Sequence, residues 1–197
     1  MEGYVNRIVF GTDLDDCIVE TASEIIKELG YGSKEILSRI GSFSISESLN
    51  IPRELVNHAI DKTLERTDLK FNSSFYLIYP VLMKLVGHLY VITSRRSHLE
   101  NGRTILRKLF REDEFTLINS DRYGNGIPRK AEVIRQYGIN LFVEDRFATA
   151  VDIIEKTNCF VILLAKPWNK RLTQPDRLIR VSNWYEILDF LRKVVKL

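Results

Sequence analysis

The chain has 197 residues, enough for one ordinary domain or one domain carrying a modest insertion. Hydrophobic residues make up 45% and charged residues 28%, while ten Gly and five Pro are too few for a collagenous, linker-rich or generally disordered chain. The net charge of +3 is mild but uneven: residues 1–90 carry −4 and residues 91–197 carry +7, an excess able to attract a phosphorylated substrate and too diffuse for a nucleic-acid stripe.

The first apolar run, residues 7–13 (RIVFGTD), reads as a buried strand. Residues 20–29, 34–40, 53–64 and 75–86 follow with apolar positions three or four apart, so each reads as a helix. Asn50-Ile51-Pro52 supplies a helix start, with Asn50 as candidate cap. A helical stretch of this length exceeds a normal crossover. Residues 20–76 are therefore expected to form a small helical cap, leaving residues 1–19 and 77–197 as the core.

Further strands are read at residues 88–93 (HLYVIT), 115–119 (FTLIN), 140–143 (NLFV) and 159–165 (CFVILLA). Helical patterns at 99–110, 130–137 and 148–156 lie between them, and residues 183–195 read as a closing helix. Strand and helix in alternation predict the α/β class: a doubly wound, Rossmann-like parallel sheet with right-handed crossovers. Continuously apolar strands fit a sheet covered on both faces. Cys17 and Cys159 give neither a disulfide framework nor a zinc spacing, which fits a reducing compartment. With no visible secretory leader and no run of ~20 apolar residues, a cytoplasmic protein without a membrane partner is expected.

In such a sheet, ligands bind beyond the carboxyl ends of the strands, where strand order reverses. The first strand ends in Asp13-Leu14-Asp15-Asp16, and Asp13 and Asp15 are spaced to turn the same way. Two close carboxylates repel unless a cation or a shared proton lies between them. Alternatively, Asp13 or Asp16 caps a helix beginning near Cys17. The second strand ends in Thr93-Ser94-Arg95-Arg96: hydroxyls for a phosphoryl oxygen, and Arg95 as either a substrate contact or a solvated residue. Ser94 or Ser97 as a helix cap is the plainer alternative. The fourth strand ends in Glu144-Asp145-Arg146, suited to a hard cation such as Mg²⁺ if it faces the first acidic pair, or to capping by Asp145. Lys130 opens a helix, and turned inward it would neutralise carboxylate and phosphate.

This order of signals resembles the haloacid dehalogenase superfamily of aspartate-nucleophile phosphohydrolases, carried here by VFGTDLDDC, YVITSR, PRKAEVI and LFVEDR over residues 8–146. A narrower likeness, in Pro167, Trp168, Asn169, Arg180, Val181 and Trp184, is to the branch containing 5'(3')-deoxyribonucleotidases. Cys17, Asp16 and Arg96 depart from residues common in relatives. The resemblance implies a Mg²⁺-dependent phosphomonoester hydrolase, with Asp13 as nucleophile and Asp15 as acid and base. It implies Thr93 and Lys130 as catalytic phosphoryl ligands, joined by Ser94 and Arg95. It places the metal on Asp13, the backbone carbonyl of Asp15, and Asp145, with Glu144 orienting a metal-bound water. The implied substrate is a small phosphorylated metabolite such as a (deoxy)nucleoside monophosphate; sugar phosphates and protein phosphoresidues stay open. Phe43, Phe71, Phe75, Tyr76 and Tyr79 are candidates for stacking on a base or for the cap's own core. Trp168 reads as support for an active-site loop and Trp184 as core. Rival readings are a dehalogenase, a non-catalytic phosphate- or metal-binding regulatory module, and a nucleic-acid-end phosphatase. Nucleic acid is otherwise an unexpected partner, and no ATP-binding GxxxxGK[ST] run occurs.

Overall fold

The computed structural model describes residues 8–95, 97–123, 129–170 and 175–194. Arg7, Arg96, Pro128 and Val195, which the sequence reading used, lie outside the described residues. In chain order the core contains β1 (Phe10–Thr12), β2 (Leu89–Thr93), β3 (Phe115–Asn119), β4 (Leu141–Glu144), β5 (Phe160–Leu164) and β6 (Leu178–Val181). The strands are parallel in the order β3-β2-β1-β4-β5-β6. Strand order therefore reverses between β1 and β4, and the carboxyl ends of β2, β1 and β4 lie side by side.

Side-chain alternation sends each strand's apolar residues to both faces. Val91, Leu141, Val143, Ile162 and Leu164 join one buried cluster, whereas Ile92, Phe142, Val161 and Leu163 join the other. The first cluster is completed by helices α5 (Ser73–Val86), α6 (Leu99–Leu106) and α9 (Trp184–Val194), the second by α7 (Lys130–Gln136) and α8 (Phe147–Lys156). Gly11 of β1 is required by this packing, because a Cβ there would lie 2.8 Å from the Phe142 ring. Trp184 is fully buried, and its indole N–H donates to the Cys17 carbonyl at 2.9 Å. No helix among the described residues is long and apolar enough to cross a membrane.

Between β1 and α5 the chain forms the helical insert: α1 (Thr21–Glu28), α2 (Ser33–Arg39), α3 (Ile45–Leu49) and α4 (Arg53–Glu65). It departs and returns at one place, where Val19 bridges Phe71 and the Asn72 N–H donates to the Ile18 carbonyl at 2.7 Å. Asn72 caps α5 by accepting from the Ser74 and Phe75 amides, so α5 begins two residues before the apolar pattern does.

Some local expectations are corrected. Asn50 does not cap α4; it ends α3 in the left-handed conformation, φ 52°. No helix starts at Cys17: residues 14–19 turn back on themselves, with the Asp16 amide donating to the Val19 carbonyl at 2.7 Å. The Asp16 carboxylate instead accepts from the Ala22 amide at 3.0 Å, in the first turn of α1. Neither Ser94, Ser97 nor Asp145 occupies a helix N-cap; His98 and Arg146 do, without side-chain capping bonds. β6 and α3 were not read from the sequence, β6 because its Arg180 interrupts a short apolar run and α3 because it has only five residues.

Candidate active site

The tips of β1 and β4 bring three carboxylates together: oxygens of Asp13, Glu144 and Asp145 lie within 4.8 Å of one another, all on buried residues. Lys130, at the start of α7, reaches into this group. Its Nζ lies 2.7 Å from Asp13 Oδ2 and 2.8 Å from Glu144 Oε2. Glu144 Oε1 accepts from the Asp145 and Arg146 amides, both at 3.1 Å. Both Glu144 oxygens are thus engaged, and the residue fixes Lys130 and the turn after β4. Asp145 accepts the Trp168 indole N–H at 3.0 Å through Oδ2, while its carbonyl accepts from Asn169 Nδ2 at 2.6 Å. Asn169 is itself held by Arg180, whose Nη1 donates to Asn169 Oδ1 at 2.7 Å.

Asp15 is not a member of that group. Arg95 grips its carboxylate, Nη2 to Oδ1 at 2.6 Å and Nε to Oδ2 at 3.0 Å. Thr21 and Thr93 donate to the same carboxylate, Thr93 Oγ1 at 3.3 Å. Ser94 is exposed, with its hydroxyl 3.3 Å from that of Ser120. The sequence-derived set Asp13, Asp15, Thr93, Ser94, Arg95, Lys130, Glu144 and Asp145 thus lines or borders one cleft of about 280 Å³, Thr93 through its bond to Asp15.

The electrostatics divide the acids. Burial, with the nearby Glu144 and Asp15 charges, outweighs Lys130 and raises Asp13 to about 8. Burial and then Glu144, Asp16 and Asp13 push Asp145 well above the carboxylate range. Burial also opposes ionisation of Asp15, but the charge and hydrogen bonds of Arg95, helped by Thr21, hold it below its ordinary value. Burial disfavours the Lys130 ammonium, yet Asp13 and Glu144 more than compensate and raise it. Two buried acids that resist ionisation beside a third make a donor set of hard oxygens that fits a divalent cation such as Mg²⁺.

The helical insert forms the far wall. Ile25, Phe43, Ile60 and Leu64 line the cleft opposite the strand tips, and the Arg146 guanidinium sits 4.3 Å from the Phe43 ring centre. A second cavity of about 370 Å³ shares Asp16, Ile25, Phe43 and Ile60 with the cleft and extends to Ser46, Glu47, Arg53 and Asn57. The other candidate aromatics lie elsewhere. Phe75 is buried 4.8 Å from the Trp184 ring, Phe71 and Tyr79 pack against the same cluster, and Tyr76 is exposed, with its ring against those of Phe71 and Tyr79.

No protein-family profile matches the chain. A curated protein of Halalkalibacterium halodurans, "Putative nucleotidase BH1399", is 29% identical over 180 residues, 90% of this chain and 89% of that one. "Putative nucleotidase YqfW" of Bacillus subtilis is 28% identical over 168 residues, 76% of this chain and 81% of that one. A haloacid dehalogenase-superfamily hydrolase from Ehrlichia chaffeensis superposes with a TM-score of 0.59 at 13% identity, over 95% of this chain and 97% of its own. The chain has the haloacid dehalogenase fold. The resemblance read from three strand-end motifs and the helix-opening Lys130 therefore holds for the architecture, including the helical cap after the first strand.

Two features of this site are not legible in the sequence. The Asp15–Arg95 ion pair joins residues 80 positions apart, and nothing local announces it. The Arg146–Phe43 contact likewise joins the sheet to the cap. The roles of Trp168 and Asn169 had a signal, the Pro-Trp-Asn run, but only the fold shows both meeting Asp145.

Proposed function

We propose that this protein is a phosphomonoester hydrolase that works through an aspartyl-phosphate on Asp13, acting on a nucleoside monophosphate. One observation supports this reading above the others. A buried lysine joins the tips of β1 and β4 and leaves three carboxylates within 4.8 Å, an arrangement able to hold a nucleophile beside concentrated positive charge.

Asp13 and Asp145, with the Asp15 backbone carbonyl, would hold the Mg²⁺. Bound there, the cation keeps both acids ionised and offsets the charge of a phosphoryl group. An Asp13 oxygen attacks phosphorus, and the bond from phosphorus to the leaving oxygen breaks. Asp15 delivers its proton to that oxygen, then takes one from the water that attacks the aspartyl-phosphate, releasing phosphate and restoring Asp13. In the free protein Asp15 is held ionised by Arg95, so it takes up its proton only as the substrate's own negative charge loosens that pair. Lys130 and Thr93 bind phosphoryl oxygens as charge builds there. Glu144 holds Lys130 in place.

The leaving group lies in the cap cavity. Its walls combine Ile25, Ile60 and the Phe43 ring with Ser46, Glu47, Arg53 and Asn57, an apolar slot with a hydrogen-bonding end. That mix suits a nucleobase better than a sugar, whose hydroxyls need polar partners all round. Initial rates on nucleoside monophosphates and hexose phosphates with Mg²⁺ test the reading. Release of phosphate from a nucleotide, abolished in Asp13→Asn, is expected; no release from any monoester overturns it.

A further inference from the structure

The turn after β5 is tied down more thoroughly than a short surface turn requires. Pro167–Asn169 form one turn of 3-10 helix, and Asn169 at its end is 1% exposed. Both polar atoms of the Asn169 side chain are used twice. Nδ2 donates to the Asp145 carbonyl at 2.6 Å and to the Leu164 carbonyl at 2.9 Å. Oδ1 accepts from the Lys166 amide at 3.1 Å and from Arg180 Nη1 at 2.7 Å. The same arginine nitrogen donates to the Asn169 carbonyl as well. A guanidinium has donors alone, so only the amide oxygen of Asn169 can face it, and the amide nitrogen is turned toward Asp145. Trp168 supplies a second hold on that acid, its indole N–H on Oδ2 at 3.0 Å. Adjacent residues of one turn therefore grip the backbone and the carboxylate of Asp145.

Arg180 is an expensive way to fasten a turn. It sits within β6, the edge strand, opposite Leu163 of β5, where an apolar residue would extend the run of Leu178, Ile179 and Val181. Its Nη2 is buried and has no hydrogen-bond partner among the described residues, which is unfavourable for a charged nitrogen. In return the guanidinium gives a charge-assisted hold on both oxygens of Asn169, about twice as strong as a neutral one. Two hydrogen-bonded steps thus lead from the edge of the sheet to the acidic cluster.

We propose that Arg180 is a positioning residue for the Mg²⁺ site: it pins the Pro-Trp-Asn turn, and the turn presents the Asp145 carboxylate to the cation in one fixed orientation. The inference rests on the metal site of the phosphohydrolase reading and extends it to a strand that contributes no ligand. A ligand already held in place gives up little freedom when the cation binds, so the pin acts on metal affinity.

The Mg²⁺ dissociation constant, taken from the rise of melting temperature with Mg²⁺ and without substrate, tests this on the full chain. Wild type is compared with Arg180→Lys, Arg180→Gln, Trp168→Phe and the double variant Arg180→Gln/Trp168→Phe. Arg180→Gln is expected to bind Mg²⁺ about tenfold more weakly, and Arg180→Lys, which keeps the charge and loses the fork, to lose less. Because both residues act through one turn, the double variant should bind about as weakly as Arg180→Gln alone. Circular dichroism identifies a variant that has not folded, and Arg180→Lys keeps the test open if the glutamine variant fails. A merely structural arginine would lower the metal-free melting temperature and leave the dissociation constant unaltered, which overturns the proposal. Losses that multiply in the double variant also overturn it, since Arg180 and Trp168 would then act separately. Wild type that Mg²⁺ does not stabilise overturns the metal site and the proposal with it. Wild type that binds Mg²⁺ in an Arg180-dependent way yet hydrolyses no monoester overturns the hydrolase reading and leaves the pin standing.

Discussion

Trp168 donates its indole N–H to a carboxylate oxygen of Asp145 at 3.0 Å, so an aromatic ring is tied directly to the acidic cluster. The only other tryptophan, Trp184, lies buried in the core with its N–H on the Cys17 carbonyl. In a Trp184→Phe background, Mg²⁺ is therefore expected to change the emission of Trp168 in a saturable titration. Partners that orient a metal ligand commonly contribute 10- to 100-fold in affinity. Trp168→Phe should raise the Mg²⁺ concentration for half-maximal activity by about 10-fold, and Asp145→Asn should raise it further. Metal dependence unchanged in both variants would remove Asp145 from the metal site.

The same cluster sets a pH dependence of stability. Asp13 is raised to about 8 and Asp16 to about 6, so between about pH 4 and 8 the folded chain binds more protons at these groups than the unfolded chain. Their contribution is complete below the unfolded carboxylate value and is lost as pH rises through the folded values. Asp15, held low by Arg95, acts in the opposite direction at more acidic pH. The melting temperature without metal should fall from pH 5 to pH 8. Mg²⁺ should stabilise more at pH 8 than at pH 6, because it binds the deprotonated acids. Asp13→Asn should flatten the metal-free profile. A melting temperature that climbs steadily from pH 5 to 8 without metal would contradict the assignment.

Asp13→Asn leaves an amide that can neither attack phosphorus nor supply an anionic ligand. Loss of a nucleophile acting as one unit with its neighbours costs activity out of proportion to its size, and a fall of at least ~10⁴-fold in kcat is expected. The comparison is made on one nucleotide at saturating substrate, with circular dichroism confirming the fold.

Phe43 meets Arg146 across the mouth of the cleft, with the guanidinium 4.3 Å from the ring centre. Such contacts contribute about 0.5–1 kcal/mol at partly exposed positions, or about a two- to fivefold change in an equilibrium constant. Phe43→Ala should raise KM for a nucleoside monophosphate by at least that much through the lost ring and the looser cap. KM for p-nitrophenyl phosphate, whose small leaving group stops short of the cap cavity, should change less. Equal changes for both substrates would argue that Phe43 only stabilises the closed cap.

Trp184 packs against the Phe75 ring at 4.8 Å and the Phe10 ring at 6.4 Å. Trp184→Ala should destabilise the fold by about 3–5 kcal/mol by chemical denaturation, as large-to-small changes of buried aromatics do. Trp184→Phe, which keeps most of the volume, should cost much less.

The helix and strand periods were legible because both are local. A continuously apolar run such as β5 fits a sheet covered on two faces, and the three-and-four spacing of α4 implies a helix of similar bounds. The limits of this reading are equally physical. β6 has half-exposed Ile179 and Arg180 at its centre and is recognised only beside β5. Asn50 carries side-chain chemistry equally good for starting or ending a helix, and the left-handed backbone decided for the end. The acidic strand ends were visible as motifs; which carboxylates share a charge and which is taken by arginine was not.

By itself, then, the order of residues determined the α/β class, the insertion after the first strand and the positions where reactive groups leave the sheet. Tertiary structure decided the partners: Lys130 between Asp13 and Glu144, Arg95 on Asp15, Trp168 on Asp145, and Phe43 facing the cleft while Phe75 went to the core. The division has one cause. Periodicity is a property of neighbouring residues, whereas Coulomb and hydrogen-bond energies depend on distances that exist only once β1, β2 and β4 lie side by side.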